Sequence, residues 1–468
     1  MKETEQSTYK LIKMNADTLT PIEIFKRITG RKKFLLESTF PHKEKGKYSF
    51  IGANPYREII GYGNKTTDTS HVDGTSGTFE QEALLYIQEN LPTINIDLPL
   101  PFYGGAIGYI GYDAIRQYEY IGESLPDELE MPDIHFMVYQ DTIVYDHAKE
   151  NIYLIVMNPN NDTESELVDR LENLKDMLAS PTDVEENPVK HIEFQPETTA
   201  EEFHKKVETA KKHVQRGDIF QVVLSQKMKA EFEGDPFSFY RKLRKANPSP
   251  YMFYIDFEDY LVLGASPESL VQTTGRDIIT NPIAGTRARG KTPEEDAALE
   301  KDLLSDEKEI AEHRMLVDLS RNDLGRVCET GSITIPTYMK IEKYEHVMHI
   351  VSEVKGRLKE GFSPLDALAS CLPAGTVSGA PKIRAMQIIN DLEEKKRGVY
   401  AGGIGFINFN QDVNIALAIR SLVIQGSYAY LQTGAGIVYD SLPENEYRET
   451  MQKAKSLMEV NKIDFITG

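Results

Sequence analysis

Four glutamates fall into two pairs of equal spacing: Glu309 and Glu312 in KEIAEH, Glu446 and Glu449 in NEYRET. On a helix, a spacing of three puts both carboxylates of a pair on one face. Four carboxylates brought together repel one another unless a cation sits between them. An all-oxygen set with no histidine cluster favours Mg²⁺ over zinc. The other reading is two solvated helix faces neutralised by Lys308, Arg448 and Lys453. Glu268, in GASPESL, is either an acid whose pKa an apolar setting raises or a capped turn residue. Arg420, in ALAIRSL, is a lone cation in an apolar run; once buried it needs an anion, either a structural carboxylate or a ligand. His346 and His349, in HVMHIV, alternate with apolar residues and read as core or interface histidines, or as proton carriers.

The stretch LPAGTVSGAPKIRAM, from Leu372, reads as a small-residue turn opening a helix near Ile383. Gly375 and Gly379 can take positive φ there, and Pro381 suits a first helical turn. Exposed N–H groups of such a turn suit an anion. No Gly-Lys-Ser/Thr follows, so it is not a Walker loop. AGGIGF at Ala401 lies between strand-like runs, unlike a dinucleotide fingerprint. There is no Gly-x-Ser-x-Gly elbow, and neither Cys328 nor Cys371 has the Gly-x-Cys-x-Gly context of a glutaminase nucleophile.

The elements that must carry these residues are mixed. Strand-like runs occur at Lys33–Glu37, Asp141–Tyr145 and Asn151–Val156. The polar, proline-bearing stretch 181–198 reads as a linker between an N-terminal part (1–180) and a larger part (199–468). Beyond it come an amphipathic helix from Ala200 to Arg216 and a strand from Ile219 to Lys227. Two strands flank Ser-Pro-Glu between Tyr260 and Val271, and a helix runs from Asp306 to Val327. Alternation from Val413 through Ile415, Leu417 and Ile419 turns at Gly426-Ser427, and a helix closes the chain from Asn445. Without regular βαβ alternation, the fold class is α+β. YGGAIGYIGYD at Tyr103 echoes YAGGIGFINFN at Tyr400, by internal duplication or by chance.

With 468 residues, 40% of them hydrophobic, the chain makes two domains or one large composite. The net charge of −20 argues against nucleic acid and anionic membranes as partners. Two cysteines exclude a disulfide framework and suit a reducing cytoplasm. No run of about 18 apolar residues predicts a membrane span, and MKETEQSTYK lacks a secretory signal's apolar core.

These segments together resemble the chorismate-utilising enzymes, and among them the anthranilate synthase large subunits. The resemblance rests on PIAGTRARG at Pro282, EHRMLVDLSRNDLGRV at Glu312, HVMHIVSEV at His346, LPAGTVSGAPK at Leu372, GAGIV at Gly434 and DSLPENEYRETMQKA at Asp440. It implies a large composite β-sandwich flanked by helices, whose two sequence parts can interleave in space. It also implies a lyase that converts chorismate and ammonia to anthranilate and pyruvate, the first committed step towards tryptophan. A glutamine amidotransferase subunit would supply the ammonia. By the same resemblance Glu312 and Glu449 are direct Mg²⁺ ligands, and Glu309 and Glu446 act through metal-bound water. Tyr400, Arg420, Lys453 and the backbone at Gly434, Ala435 and Gly436 hold a carboxylate of the substrate, and Gly285 and Thr376 touch its ring. Glu268 is the general acid, and His349 assists loss of pyruvate. Gln221 stands where water-using relatives carry a lysine base. Ala284 stands where the 4-amination enzymes of folate synthesis carry a nucleophilic lysine; that activity is the alternative, and a catalytically silent regulatory subunit is a second.

LLES at Leu35 and NPSPYM at Asn247 resemble the family's tryptophan feedback site. This implies an inhibitor site of Glu37, Ser38, Tyr48, Ser49, Asn247, Pro250, Tyr251 and Met252.

Overall fold

A computed structural model describes residues 7–38, 48–180, 187, 189–190, 192–344 and 347–460. His346 and much of the expected linker (181–186, 188 and 191) lie outside the described residues.

Two 12-stranded sheets dominate, and every strand pair in them is antiparallel. The first runs in spatial order Tyr9–Asn15, Asn151–Met157, Asp141–Asp146, Tyr48–Gly52, Phe34–Glu37, Tyr251–Asp256, Leu261–Ser266, Ser421–Gln425, Tyr428–Ile437, Gln221–Glu231 and Gln195–Pro196, with Gly379–Ala380 also on the Gln221 strand. The second runs Ile283–Ala288, Val347–Arg357, Asp277–Thr280, Ser269–Thr274, Val413–Leu417, Gly403–Asn408, Gly105–Ile110, Ile134–Tyr139, Arg57–Tyr62, Lys65–Ser70 and Ser76–Phe79. Thr334–Lys343 joins it on the Val347 strand.

Each sheet mixes strands from both sides of residues 181–198. In the first, Phe34–Glu37 pairs with Tyr251–Asp256. In the second, the two Gly-rich echoes pair with each other, Gly403 opposite Ile110 through Asn408 opposite Gly105. Their glycines are there for close backbone approach: a Cβ on Gly108 or Gly405 would run into the carbonyl oxygen of His135 or Asn414. The core spans the same boundary. Phe50 meets Phe406 edge-on at 5.6 Å, and Phe25 stacks on Phe237 at 4.3 Å. Gln195–Pro196 is a two-residue strand, so the end of the expected linker is not structureless.

Helices flank the sheets and begin as the sequence demands. Asp306 caps Glu307–Val327 by accepting from the N–H groups of Lys308 (3.0 Å) and Glu309 (3.2 Å). Pro443 opens Pro443–Met458, where a missing N–H costs nothing. Two expectations need correction. Gly375–Ser378 is a four-residue helix rather than an open turn; Gly379 has φ 133°, and Pro381 is the N-cap of Lys382–Leu392 rather than inside its first turn. The alternation from Val413 is not one strand either. It breaks after Leu417, and the hairpin is Ser421–Gln425 with Tyr428–Ile437. Among the described residues no helix is long and apolar enough to cross a membrane.

Candidate active site

The site forms where the chain passes from one sheet to the other. Leu261–Ser266 belongs to the first sheet and Ser269–Thr274 to the second, so Ser266-Pro267-Glu268 is a crossover. Val413–Leu417 and Ser421–Gln425 make the return crossover at Ala418-Ile419-Arg420. The two are laced together. Ser266 Oγ donates to the Leu417 carbonyl (2.7 Å), Leu417 N–H donates to the Glu268 carbonyl (2.9 Å), and Ala265 N–H donates to the Arg420 carbonyl (3.1 Å). Glu268 and Arg420, 152 positions apart in sequence, therefore occupy one corner.

Glu268 is buried, and burial pushes its pKa up to about 8 against the opposing pull of Thr376, Arg420 and Lys453. Thr376 Oγ1, on the Gly375–Ser378 helix, donates to Glu268 Oε1 at 2.9 Å. Oε2 has no partner among the described residues and is the atom free to carry the proton. Arg420 has φ 51°, and its guanidinium makes no hydrogen bond or ion pair among the described residues. Burial pushes its pKa down, while Tyr344 and Glu268 pull it back up. Among the described residues no carboxylate pairs with it, as a ligand-binding role requires.

His349 lies in Val347–Arg357 opposite Thr286, where the register slips around Gly285. Gly285 takes φ 70°, and its carbonyl lies 2.8 Å from His349 Nδ1; Thr286 Oγ1 is 3.1 Å from the same nitrogen. A carbonyl only accepts, so Nδ1 carries the hydrogen and Nε2 presents a lone pair. Burial pushes the imidazole pKa down to about 4, so the ring is neutral at pH 7. Tyr344 packs edge-on against it at 5.2 Å.

The glutamate pairs start two helices, with Glu309 in the first turn of Glu307–Val327 and Glu446 in that of Pro443–Met458. The helix N-terminus favours a carboxylate at both positions. Burial raises the pKa of Glu309 and of Glu446, and the charge of Glu312 or Glu449 adds to the rise. Arg287 is 3.4 Å from Glu309, and Gln221 Nε2 donates to Glu312 Oε1 at 3.1 Å. Lys453 pairs with Glu449 at 2.8 Å and donates to the Gly434 carbonyl at 2.8 Å. Arg448 turns instead to Glu444 (2.8 Å), and Lys308 reaches Glu446 only through its field. The donor chemistry and the mutual repulsion within each pair suit a hard divalent cation. The spacing is open, however: among the described residues no three acidic, histidine or cysteine side chains converge on one point.

Gly434, Ala435 and Gly436 run along the Tyr428 strand opposite Ser225, Leu224 and Val223. A Cβ on Gly434 would lie 2.7 Å from the Tyr400 hydroxyl, and one on Gly436 would overlap the Gln221 amide. Tyr400 and Lys453 thus meet at Gly434, and Gln221 and Glu312 meet beside Gly436. Ala284, buried opposite Ile350, adjoins Gly285. Sequence reasoning missed Tyr344, which carried no motif, and Arg287, which sits within PIAGTRARG but was not singled out there. It also missed Arg397, whose guanidinium donates to the Val377 and Val223 carbonyls (both 2.7 Å) and so ties the Thr376 helix to the Gln221 strand.

The N-terminal candidates assemble on adjacent strands. Glu37 lies between Ser49 and Met252 in register, and Ser38 N–H reaches the Tyr48 carbonyl at 3.4 Å. Glu37 is fully buried and accepts from Tyr240 (2.8 Å), Arg244 (2.9 Å) and Ser49 (3.4 Å); Ser49 also meets His147 at 2.8 Å. Tyr251 opposes Ser266, and its hydroxyl accepts from Gln272 at 2.6 Å. Asn247 ends the Pro236–Ala246 helix and donates to the Ser456 carbonyl at 2.5 Å. Pro250 is half-buried just ahead of the Tyr251 strand. No hydrogen bond joins Asn247 or Pro250 to Glu37 among the described residues. Tyr240, Arg244 and His147 were not foreseen.

Two broad antiparallel sheets flanked by helices match a known family, the chorismate binding enzymes. That family's profile matches residues 31–459, and the chain belongs to the family. It is 43% identical over 456 residues to anthranilate synthase component 1 of Lactococcus lactis subsp. lactis (strain IL1403), covering 97% of this chain and 100% of that protein. It is 43% identical over 464 residues to anthranilate synthase component 1 of Aquifex aeolicus (strain VF5), covering 96% and 93%. Among solved structures, anthranilate synthase component I from Streptococcus pneumoniae TIGR4 superposes with a TM-score of 0.83 at 43% identity, over 95% of this chain and 98% of that one. The menaquinone-specific isochorismate synthase MenF from Escherichia coli, at 18% identity and a TM-score of 0.73 over 97% and 94%, shares the fold.

Proposed function

We propose that this chain is the chorismate-binding large subunit of an anthranilate synthase, a lyase converting chorismate and ammonia to anthranilate, pyruvate and water. The observation that carries the reading is the corner where Glu268, neutral at pH 7 with Oε2 free, stands near Arg420, whose guanidinium is unpaired among the described residues. Near-complete alignment with anthranilate synthase components supports the same reading. Arg420, Tyr400 and Lys453, with the backbone at Gly434, Ala435 and Gly436, hold a substrate carboxylate, and Gly285 and Thr376 flank the ring. Glu268 Oε2 gives its proton to the departing 4-hydroxyl as ammonia attacks C2. His349 Nε2 then accepts the ring proton as pyruvate leaves. Gln221 cannot deprotonate water, and Ala284 cannot form a covalent adduct, which disfavours isochorismate formation and 4-amination. Glu309, Glu312, Glu446 and Glu449 are the donor set for Mg²⁺, which when bound would neutralise the ring carboxylate of chorismate.

Ammonia comes from a separate glutamine amidotransferase subunit, since the chain carries no glutaminase motif. The N-terminal part (1–180) contributes a tryptophan site at Glu37, Ser38, Tyr48, Ser49 and Met252, with Asn247, Pro250 and Tyr251 nearby in sequence. The strand pairing Met252 with Glu37 also pairs Tyr251 with Ser266, two residues before Glu268, so one strand touches both sites. Tryptophan can shift activity only by binding one state better than another. Two free buried cysteines suit the cytoplasm.

The test is product identification by fluorescence and mass spectrometry after incubation with chorismate, Mg²⁺ and either ammonium or glutamine. The expected result is anthranilate with ammonium and none with glutamine alone. Aminodeoxychorismate would shift the assignment to folate synthesis. No turnover would leave a regulatory subunit.

A further inference from the structure

A small cavity of about 30 Å³ opens beside Glu268, lined among others by Ser269, Thr280, Ser320, Asp323 and Thr376. The proposed mechanism uses Glu268 and Thr376 from its lining but gives no role to Ser269, Thr280 or the space between them. Two of its hydroxyls are costly as they stand. Among the described residues Thr280 Oγ1 is buried with no partner, and Ser269 Oγ, buried beside the Tyr251 phenol, makes no well-formed hydrogen bond either. Both residues are under a tenth exposed, Thr280 at 5% and Ser269 at 6%. A buried hydroxyl left unpaired costs about 1–3 kcal/mol, and two in one cavity demand an explanation. Room of this size, bounded by Ser269, Thr280 and Glu268, meets the size and polarity requirements for an ordered water. Ser320 is partly exposed, and Asp323, at 15% side-chain exposure, is held by Lys382 at 2.7 Å, so the lining reaches solvent at Ser320.

We propose that this cavity holds a structural water bound by Thr280 Oγ1, Ser269 Oγ and Glu268 Oε2, through which the proton returns to Glu268 after each turnover. The inference rests on Glu268 acting as the general acid. When the C4–O bond breaks, Glu268 gives up its proton and water departs, leaving a buried carboxylate. Ammonia bonded to C2 becomes an ammonium and sheds one proton to solvent. The cavity water passes a proton to Oε2 and takes one from solvent, so the proton count closes without any other reactant. The raised affinity of Glu268 for its proton makes the return downhill at neutral pH. Thr280 and Ser269 touch no reacting atom; they are positioning residues for the water.

A high-resolution crystal structure and steady-state kinetics of three variants test this. The parent should show an ordered water within hydrogen-bond distance of Glu268 and Thr280, absent in Thr280→Val. That isosteric change should lower kcat on the order of tenfold, with KM unchanged and a larger solvent deuterium isotope effect on kcat, while Thr280→Ser behaves as the parent. Ser269→Ala should move the same readouts in the same direction and replaces Thr280→Val if that variant does not fold. A dry cavity, parental kcat and isotope effect in the hydroxyl-deleting variant, or equal damage in Thr280→Ser would each overturn the proposal. A parent that makes no anthranilate would instead sink the functional reading; the cavity's water is then decided by the crystal structure alone.

Discussion

The catalytic corner and the N-terminal cluster each bury a glutamate near an arginine, and they treat the pair in opposite ways. Glu37 accepts from Arg244, Tyr240 and Ser49, so its carboxylate is satisfied by the protein. Glu268 has one hydroxyl donor, and Arg420 influences it without forming an ion pair among the described residues. A folded protein pairs its buried polar groups unless something else is to pair them. The Glu37 cluster is therefore a finished network whose carboxylate helps hold strands together. The Glu268 corner keeps a proton on one group and, among the described residues, an unpaired charge on the other, and on the proposed reading both are kept for a charged substrate.

The comparison breaks first if Glu268 is dispensable. Glu268→Gln should lower kcat by about 10²–10⁴, the usual worth of a general acid, in a rate assay for anthranilate. The variant should also gain stability relative to the parent as pH rises. Folding holds Glu268 neutral up to about 8, while the unfolded chain ionises near 4.5, so the parent pays an increasing cost across that window and the amide does not. Thermal melts of both proteins across it check the sign.

The glutamate helices give the next largest effect. Glu312→Gln and Glu449→Gln should abolish turnover at any Mg²⁺ concentration. Glu309→Gln and Glu446→Gln should raise the Mg²⁺ requirement by roughly 10- to 100-fold, because on the proposed reading they act through metal-bound water. Four variants titrating like the parent would remove the metal assignment.

At the N-terminal cluster the expected effect is on inhibition. Ser38→Arg should weaken tryptophan inhibition by roughly 5- to 150-fold, one buried hydrogen bond's worth, with activity in its absence preserved. An inhibition curve overlaying the parent's would take this site out of the account. Smallest of all, Glu37→Gln should lower stability by about 1–3 kcal/mol in denaturant unfolding, because Arg244 loses its anion but stays partly in water. A Glu37 variant as stable as the parent would show that its network is not finished.

The sequence carried the residues of the site better than the corner that unites them. Ser-Pro-Glu at 266–268 reads as a turn between strands, and it is one. Nothing local says that those strands belong to different sheets, because alternation reports a buried face and not which sheet supplies it. The same blindness ran the Val413 strand through Arg420, where a left-handed residue and a sheet change interrupt it. The lacing of Ser266 to Leu417 spans 151 positions and has no local signature. Glu37 was legible only through resemblance. Its partners Tyr240 and Arg244 sit on an amphipathic helix, where an arginine looks like any solvated one. The echo at Tyr103 and Tyr400 was visible as text; its meaning, two strands that pair and join the halves, needed the fold.

The most direct test of a neutral acid held ready beside an open cation is the pH dependence of kcat/KM for chorismate, with the rate referred to free ammonia. This parameter reports the groups of the unliganded enzyme. The account predicts a plateau through neutrality. It predicts an alkaline fall centred near 8 as Glu268 loses its proton, and an acid fall near 4 as His349 gains one. A profile that stays flat through pH 8 would contradict it, because the enzyme would then be working with Glu268 already ionised.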